Sequence, residues 1–239
     1  MKILSIGNSF SQDAHKWIYP IAKELGEDFE VVNLYIGGCS LKTHWNNFLS
    51  GVRSYDYEVN GEKCRRSSIG MALSERRWDV ITLQQVSAES GIAESYEPYL
   101  TQLVHYIRKS QPQAKLYLHQ TWAYDQGSDW SGFAAYNHST EQMFVSLKTA
   151  YQDAAKRIGA DIVPVGEVLQ QLRTYPEFAS ITRDGGHLSY IYGRYAAALT
   201  WIATLRDVDV RKVGFLPEHE GVKAAPQLLE QIKQTVYTF

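Results

Sequence analysis

The sequence predicts an α/β fold: a three-layer α/β/α sandwich around a mainly parallel five-stranded sheet, with a β-hairpin inserted after the second strand. Three observations predict it. Five short runs of apolar, β-branched or aromatic residues recur along the chain, helical patterns separate most of them, and one Asn-Gly pair divides two alternating segments. Strands alternating with helices favour a parallel sheet, and right-handed crossovers then place helices on both of its faces.

The first strand runs from Ile3 to Gly7 and is followed by a helical pattern from Asp13 to Leu25. The second runs from Phe29 to Ile36. After it, Tyr55 to Arg66 contains Val59-Asn60-Gly61-Glu62, and Asn-Gly between alternating residues is a strong two-residue hairpin signal. The third strand, Asp79 to Gln84, precedes a helix from Tyr96 to Lys109; the fourth, Lys115 to Thr121, precedes one from Asn137 to Ile158. Between the fourth strand and its helix, Tyr124 to Phe133 is a loop of Gly, Ser, Asp and Trp, read either as a cleft wall or lid or as a solvated connection. The fifth strand is Asp161 to Val165, and helices from about Tyr190 to Leu205 and Pro226 to Tyr237 close the chain. No linker, repeat or low-complexity stretch divides residues 1–239, so a single domain is expected.

Composition removes several function classes. Hydrophobic residues make up 44% and charged ones 21%, the balance of a globular chain with a sizeable core. A formal net charge of −2 argues against nucleic acid as a partner. No apolar run approaches the ~20 residues that span a bilayer, so no membrane partner is expected. The N-terminus lacks the features of a signal peptide, giving a cytoplasmic assignment as written, or a periplasmic or secreted one if an export signal has been trimmed. Cys39 and Cys64 make neither a disulfide framework nor a metal-ligand spacing, and the scattered histidines form no metal cluster. Nothing in the pattern specifies an oligomeric state. The 16 Tyr and 6 Trp are many for this length and serve equally as core or as the flat walls of a cleft.

The chemistry-bearing residues lie at the two ends of the chain. Gly7-Asn8-Ser9-Phe10-Ser11 closes the first strand, where ligands sit in a parallel sheet and the next helix offers free N–H groups. A strand-to-helix turn exposes Ser9 as a nucleophile, and Asn8 shapes the turn. Far downstream, Arg183-Asp184-Gly185-Gly186-His187-Leu188-Ser189 supplies His187 as general base and Asp184, three residues before it, to hold the imidazole. Asp184 also suits a helix cap. Oxyanion donors are expected from neighbouring strand ends: Gly37-Gly38 after the second strand, and the amide of Gln84 or Gln85 after the third, with Gln85 preferred. Cys39 reads as a small core residue. His44, Trp122, Tyr124 and Trp130 are the candidate substrate-binding residues, because each follows a strand's C-terminal end.

In this order the pieces resemble the four blocks of SGNH (GDSL-like) hydrolases, and the opening together with Asp-Gly-Gly-His-Leu-Ser looks like an uncharacterised bacterial branch of that superfamily. The resemblance implies a flavodoxin-like SGNH hydrolase sheet, a Ser9-His187-Asp184 triad, and an oxyanion hole built from the N–H groups of Ser9 and Gly38. Two blocks depart from the pattern. The first reads Gly-Asn-Ser-Phe-Ser, where Asn offers turn chemistry similar to Asp. The third reads Leu83-Gln84-Gln85-Val86-Ser87 where Gly-x-Asn-Asp is expected, and Gln85 or backbone N–H groups alone would then complete the oxyanion hole.

The expected activity is that of a serine esterase acting on small acyl esters, acetyl first among them, borne by a small molecule or a carbohydrate. It would need no metal or organic cofactor. The same site could serve an acyltransferase, and the fold without catalysis could serve as a carbohydrate-binding module. A flavodoxin-like regulator is disfavoured because no acidic phosphoacceptor ends the first strand.

Overall fold

The computed structural model describes residues 1–239. Seven strands build its main sheet: β1 (Lys2–Gly7), β2 (Glu30–Tyr35), β3 (Tyr55–Val59), β4 (Glu62–Ser67), β5 (Val80–Leu83), β6 (Lys115–His119) and β7 (Asp161–Val163). Their order is β4-β3-β2-β1-β5-β6-β7. The five strands β2, β1, β5, β6 and β7 pair in parallel, with Ile3 of β1 opposite Val31 on one side and Val80 on the other. β1 is buried from Ile3 to Gly7. That explains its unbroken apolar run, since a strand covered on both faces has no solvated side to alternate toward.

The hairpin of β3 and β4 does not stand apart from this sheet. It extends the β2 edge by two antiparallel strands, so the sheet has seven strands rather than five. Asn60 and Gly61 turn it with φ of 50° and 85°. Two consecutive left-handed residues are what a two-residue hairpin loop requires.

Helices α1 (Ser9–His15), α2 (Ile18–Glu24), α7 (Val165–Leu172), α8 (Tyr192–Leu205) and α9 (Pro226–Thr238) form one layer, with α8 touching each of the others. Helices α3 (Leu41–Ser50), α4 (Ile69–Glu75) and α5 (Tyr99–Ser110) pack together in the second layer, beside α6 (Thr140–Ile158), whose terminal carbonyl at Ile158 accepts a bond from Arg108 of α5. One continuous cluster of 62 buried hydrophobic residues runs through the molecule. A two-stranded ribbon, β8 (Glu218–His219) with β9 (Val222–Lys223), lies outside the main sheet. No helix is long and apolar enough to cross a membrane.

The helical pattern expected from Asp13 to Leu25 is in fact two helices, and the first begins four residues earlier. Asn8 caps it by accepting from the N–H of Phe10. The break at Lys16–Trp17 has a local cause: Pro20 has no N–H for the carbonyl of Lys16, and its ring would clash with that carbonyl in a continuous helix. Ser40 and Ser68 cap α3 and α4, which the apolar pattern left unassigned. The last parallel strand ends at Val163 because Pro164 follows, and Val165 opens α7.

The start of α7 docks directly on the end of β6. A Cβ at Gly166 would lie 2.1 Å from the carbonyl oxygen of Thr121, a backbone atom that cannot swing away. Gly166→Ala is therefore expected to destabilise the protein by about 1–3 kcal/mol, read as a lowered urea midpoint. An unchanged midpoint would mean that α7 can shift without cost.

Candidate active site

Ser9 is the first residue of α1, immediately above the end of the central strand β1. The first N–H groups of a helix have no acceptor in their own helix, and that of Ser9 finds none elsewhere in the protein. Asn8 fixes the turn from three sides. Its Oδ1 accepts from Phe10 N–H at 3.0 Å and from Gln84 Nε2 at 2.7 Å, while its Nδ2 donates to the Cys39 carbonyl at 3.0 Å. The side chain thus ties the ends of β1, β2 and β5 together. A carboxylate could accept the first two bonds but could not donate the third, which gives the Asn in this block a physical reason. Gly7 is equally constrained: a Cβ there would lie 2.2 Å from Ser11 Oγ, and that hydroxyl is engaged with Asn33.

His187 meets Ser9 from the other end of the chain. Its Nε2 is 2.9 Å from Ser9 Oγ, and its Nδ1 is 2.7 Å from Asp184 Oδ2. Asp184 Oδ1 also accepts the N–H groups of Gly186 and His187, at 3.1 and 2.7 Å. Burial raises the Asp184 pKa, but these bonds, led by the His187 ring, outweigh it and hold the carboxyl below the usual range. An ionised Asp184 only accepts, so Nδ1 carries the imidazole proton and Nε2 is bare toward the Ser9 hydroxyl. Trp130 and the His187 ring pack in a T-shaped contact, with centroids 4.7 Å apart.

Two buried carboxylates hold the His187 loop in place. Asp13, one helical turn beyond Ser9 on α1 and 1% exposed, receives Arg183 Nη1 at 3.0 Å, Arg194 at 2.7 Å and the Leu188 N–H at 2.9 Å. Asp125, in the loop after β6, receives Arg173 at 2.6 Å together with Ser180 and Thr182, and its own N–H donates to the Gly185 carbonyl. Burial pushes the Asp125 carboxyl up, but Arg173 and the hydroxyls overcome it and leave the group below its ordinary value.

Ser9 and His187 open on a cleft of about 520 Å³, within the range of small-molecule sites. Gly38, Tyr124 and Trp130 also line it, together with Phe10, Tyr35 and Ser87, which the sequence reading did not single out. Gly38 adopts φ 62°, and its N–H has no acceptor within the protein.

Three expected site residues lie elsewhere. Trp122 is fully buried, stacked on Phe10 at 4.3 Å and bonded through Nε1 to the Gly186 carbonyl, so it supports the cleft from behind. His44 is a core histidine bonded to Tyr55 OH at 2.9 Å, and burial lowers its pKa to about 3. Gln85 cannot supply an oxyanion donor, because its Nε2 is spent on the carbonyl and hydroxyl of Ser95 and its Oε1 on the N–H groups of Leu41 and Val86. Gln84 is also turned inward: it is 1% exposed, its Nε2 donates to Asn8 and its Oε1 meets His119. Cys39 is buried, and burial pushes its thiol up to about 12.

Residues 2–235 match the model of the family described as Domain of unknown function (DUF4886). No curated protein matches the chain. Among solved structures, a DUF4886 family protein from Bacteroides uniformis ATCC 8492 aligns over 100% of this chain and 93% of its own, with 35% identity and a TM-score of 0.93. A Slackia heliotrinireducens protein, provisionally described as an SGNH hydrolase, covers 86% of this chain and 99% of its own, at 23% identity and a TM-score of 0.63. The acetyl xylan esterase AlAXEase covers 85% and 99%, at 16% identity and a TM-score of 0.57. The fold is accordingly that of SGNH hydrolases.

Two measurements test how the His187 loop is held. Asp13→Asn strands two partly buried guanidinium groups and is expected to cost about 3–5 kcal/mol of stability, measured by urea denaturation. Asp125 titrates lower in the folded protein than in the unfolded chain. Its contribution is therefore complete above the unfolded carboxylate pKa of ~3.9 and fades as the pH falls below it. Asp125→Asn should accordingly lose stability at pH 7 and show a shallower decline than wild type between about pH 4 and 2; parallel acid profiles would contradict that role.

Proposed function

From the premise that the chain belongs to the DUF4886 family and carries the SGNH hydrolase fold, we propose that it is a serine esterase for small, neutral acyl esters. One observation carries the reading: the chain of contacts from Asp184 through His187 to Ser9, at 2.7 and 2.9 Å, at the mouth of an open cleft. Three aligned groups of these types are what acyl transfer to a serine needs.

In this mechanism Ser9 Oγ attacks the ester carbonyl and passes its proton to His187 Nε2. His187 returns that proton to the leaving alcohol, which leaves Ser9 acylated. Water, deprotonated by the same imidazole, then hydrolyses the acyl-enzyme. Asp184 keeps the ring in the required tautomer and stabilises it when charged. General base assistance of this kind contributes ~10²- to 10⁴-fold in rate. The developing oxyanion would be received by the N–H groups of Ser9 and Gly38, each well-placed donor being worth about 3–4 kcal/mol. No step calls on a cofactor.

The cleft wall supports the substrate class. Apart from His187, no lining side chain belongs to an ordinarily charged residue type, which favours an uncharged ester. Tyr35, Tyr124 and Trp130 offer the aromatic surface that suits a sugar ring, and the similarity to an acetyl xylan esterase points the same way. An acetyl group on a carbohydrate hydroxyl is the substrate this reading favours.

Hydrolysis of p-nitrophenyl acetate is expected from the wild type and should disappear in Ser9→Ala. A fluorophosphonate probe should label the wild type at Ser9 and leave the variant unlabelled. Asp184→Asn is expected to lower kcat by up to about 10⁴-fold. Full turnover by Ser9→Ala would remove that hydroxyl from the mechanism.

A further inference from the structure

We propose that the paired hydroxyls of Ser87 and Tyr124 supply a further hydrogen-bond donor to the oxyanion, in the part that sequence reasoning gave to a glutamine amide. This rests on the esterase reading with Ser9 as nucleophile.

A count of protons leads to it. Ser87 Oγ and Tyr124 OH lie 2.8 Å apart, and neither makes any other hydrogen bond within the protein. The pair owns two protons and uses one between its members. Whichever oxygen donates, the other keeps a free O–H. The two residues are 3% and 1% exposed, and both line the cleft that holds Ser9 and His187, so the cleft is where an acceptor can reach that donor. A buried donor left unpaired costs about 1–3 kcal/mol, and an acceptor arriving in the cleft would recover that cost. Burial pushes the Tyr124 phenol up to about 12 against the opposing bond from Ser87, so the pair keeps both protons at neutral pH.

The topology puts this donor on the correct side. β1 carries Ser9 and lies between β2 and β5. Gly38 follows β2 and Ser87 follows β5, so a carbonyl above Ser9 has a backbone N–H on one flank and the hydroxyl pair on the other. As the Ser9 Oγ–carbon bond forms, the carbonyl π pair moves onto oxygen and the serine proton goes to His187 Nε2. The free O–H donates to the new oxyanion and keeps its proton throughout. The glutamines that follow β5 are buried and absent from the cleft lining, their amides turned to Asn8 and Ser95.

The pair is also held still, the condition under which such donors act. Tyr136 OH accepts the Gly91 N–H at 2.9 Å and donates to the Ala88 carbonyl at 3.1 Å, bolting the 131–136 segment onto the 87–91 segment. Gly132 sits so close that a Cβ there would lie 2.4 Å from the Cβ of Ala88.

Ser87→Ala, Tyr124→Phe and the double variant are compared with wild type on p-nitrophenyl acetate, with circular dichroism and thermal unfolding to verify the fold. Each single variant still owns one unpaired O–H and should lose less than about tenfold in kcat; the double variant should lose about 10²-fold or more, with KM nearly unchanged. A trifluoromethyl ketone, which forms a tetrahedral oxyanion adduct on serine, should weaken by a similar factor against the double variant. A double variant within threefold of wild-type kcat, or a loss confined to KM, overturns the proposal. Either result, obtained while wild type is active and Ser9→Ala is not, leaves the esterase reading standing. Should the double variant fail to fold, Ser87→Gly with Tyr124→Phe takes its place, with the same outcomes deciding.

Discussion

Asp13 is a buried carboxylate on the same short helix as Ser9, one turn further along, and its partners come from the opposite end of the chain. Arg183 and Arg194 flank the His187 loop, and the Leu188 N–H belongs to it. A separation of 178 residues between Ser9 and His187 is thereby bridged by contacts made directly beneath the reactive pair. Buried ion pairs are weak sources of net stability, because desolvation offsets most of the Coulomb gain. Their value here lies in direction. A carboxylate paired with two arginines and a backbone N–H restricts how the loop can sit, and with it the distance between Ser9 and His187.

The polar groups beneath the turn follow a different rule: they are neutral. Asn8, Gln84 and His119 form a chain of amide and imidazole bonds below Ser9, at 2.7 and 2.9 Å. Burial lowers the His119 pKa strongly, and the neighbouring His15 adds to the shift, so this imidazole stays uncharged. With Gln84 Nε2 donating to Asn8, Gln84 Oε1 must accept, which assigns the His119 proton to Nδ1. A neutral scaffold under Ser9 adds no field that would oppose the oxyanion of the proposed mechanism. It also fixes the turn without titrating near neutral pH. Carboxylates stand further off: Asp184 behind His187, the Asp13 and Asp125 clamps beyond it, and Glu58, which reaches the turn through Asn33 and Ser11.

Much of this was readable in the residues. The five parallel strands, the hairpin and the long helices follow from apolar periodicity and an Asn-Gly turn, which are local signals. The Ser9, Asp184 and His187 positions were readable because glycines and strand ends mark them. What escaped depends on side-chain partners. Strand parity could not say that Gln84 and Gln85 both turn inward, since consecutive residues on a strand face opposite ways only while the strand lasts, and β5 ends at Leu83. His44 and Trp122 follow strand ends, as cleft residues do, yet tertiary packing took both into the core. Asp13 and Arg183 carried a signal that could have been used. An acidic residue four positions after Ser9 shares its helix face, and an arginine stands directly before the Asp-Gly-Gly-His run.

The departures from the resembled pattern are connected. An Asp in place of Asn8 could not donate to the Cys39 carbonyl, and its charge would face the Gln84–His119 chain beneath it. With Asn there, the position after β5 needs a group that donates to an amide oxygen, and Gln84 fills that need by turning away from the cleft. Turning inward removes the amide from the substrate side and leaves room on the β5 flank. The chain emerging from β5 reaches the cleft at Val86 and Ser87, where the Ser87 hydroxyl meets Tyr124 from the loop after β6. One exchange at the capping position is thus tied to the next block, and the two are better understood as a single rearrangement of neutral hydrogen bonds around Ser9 than as independent losses of a motif.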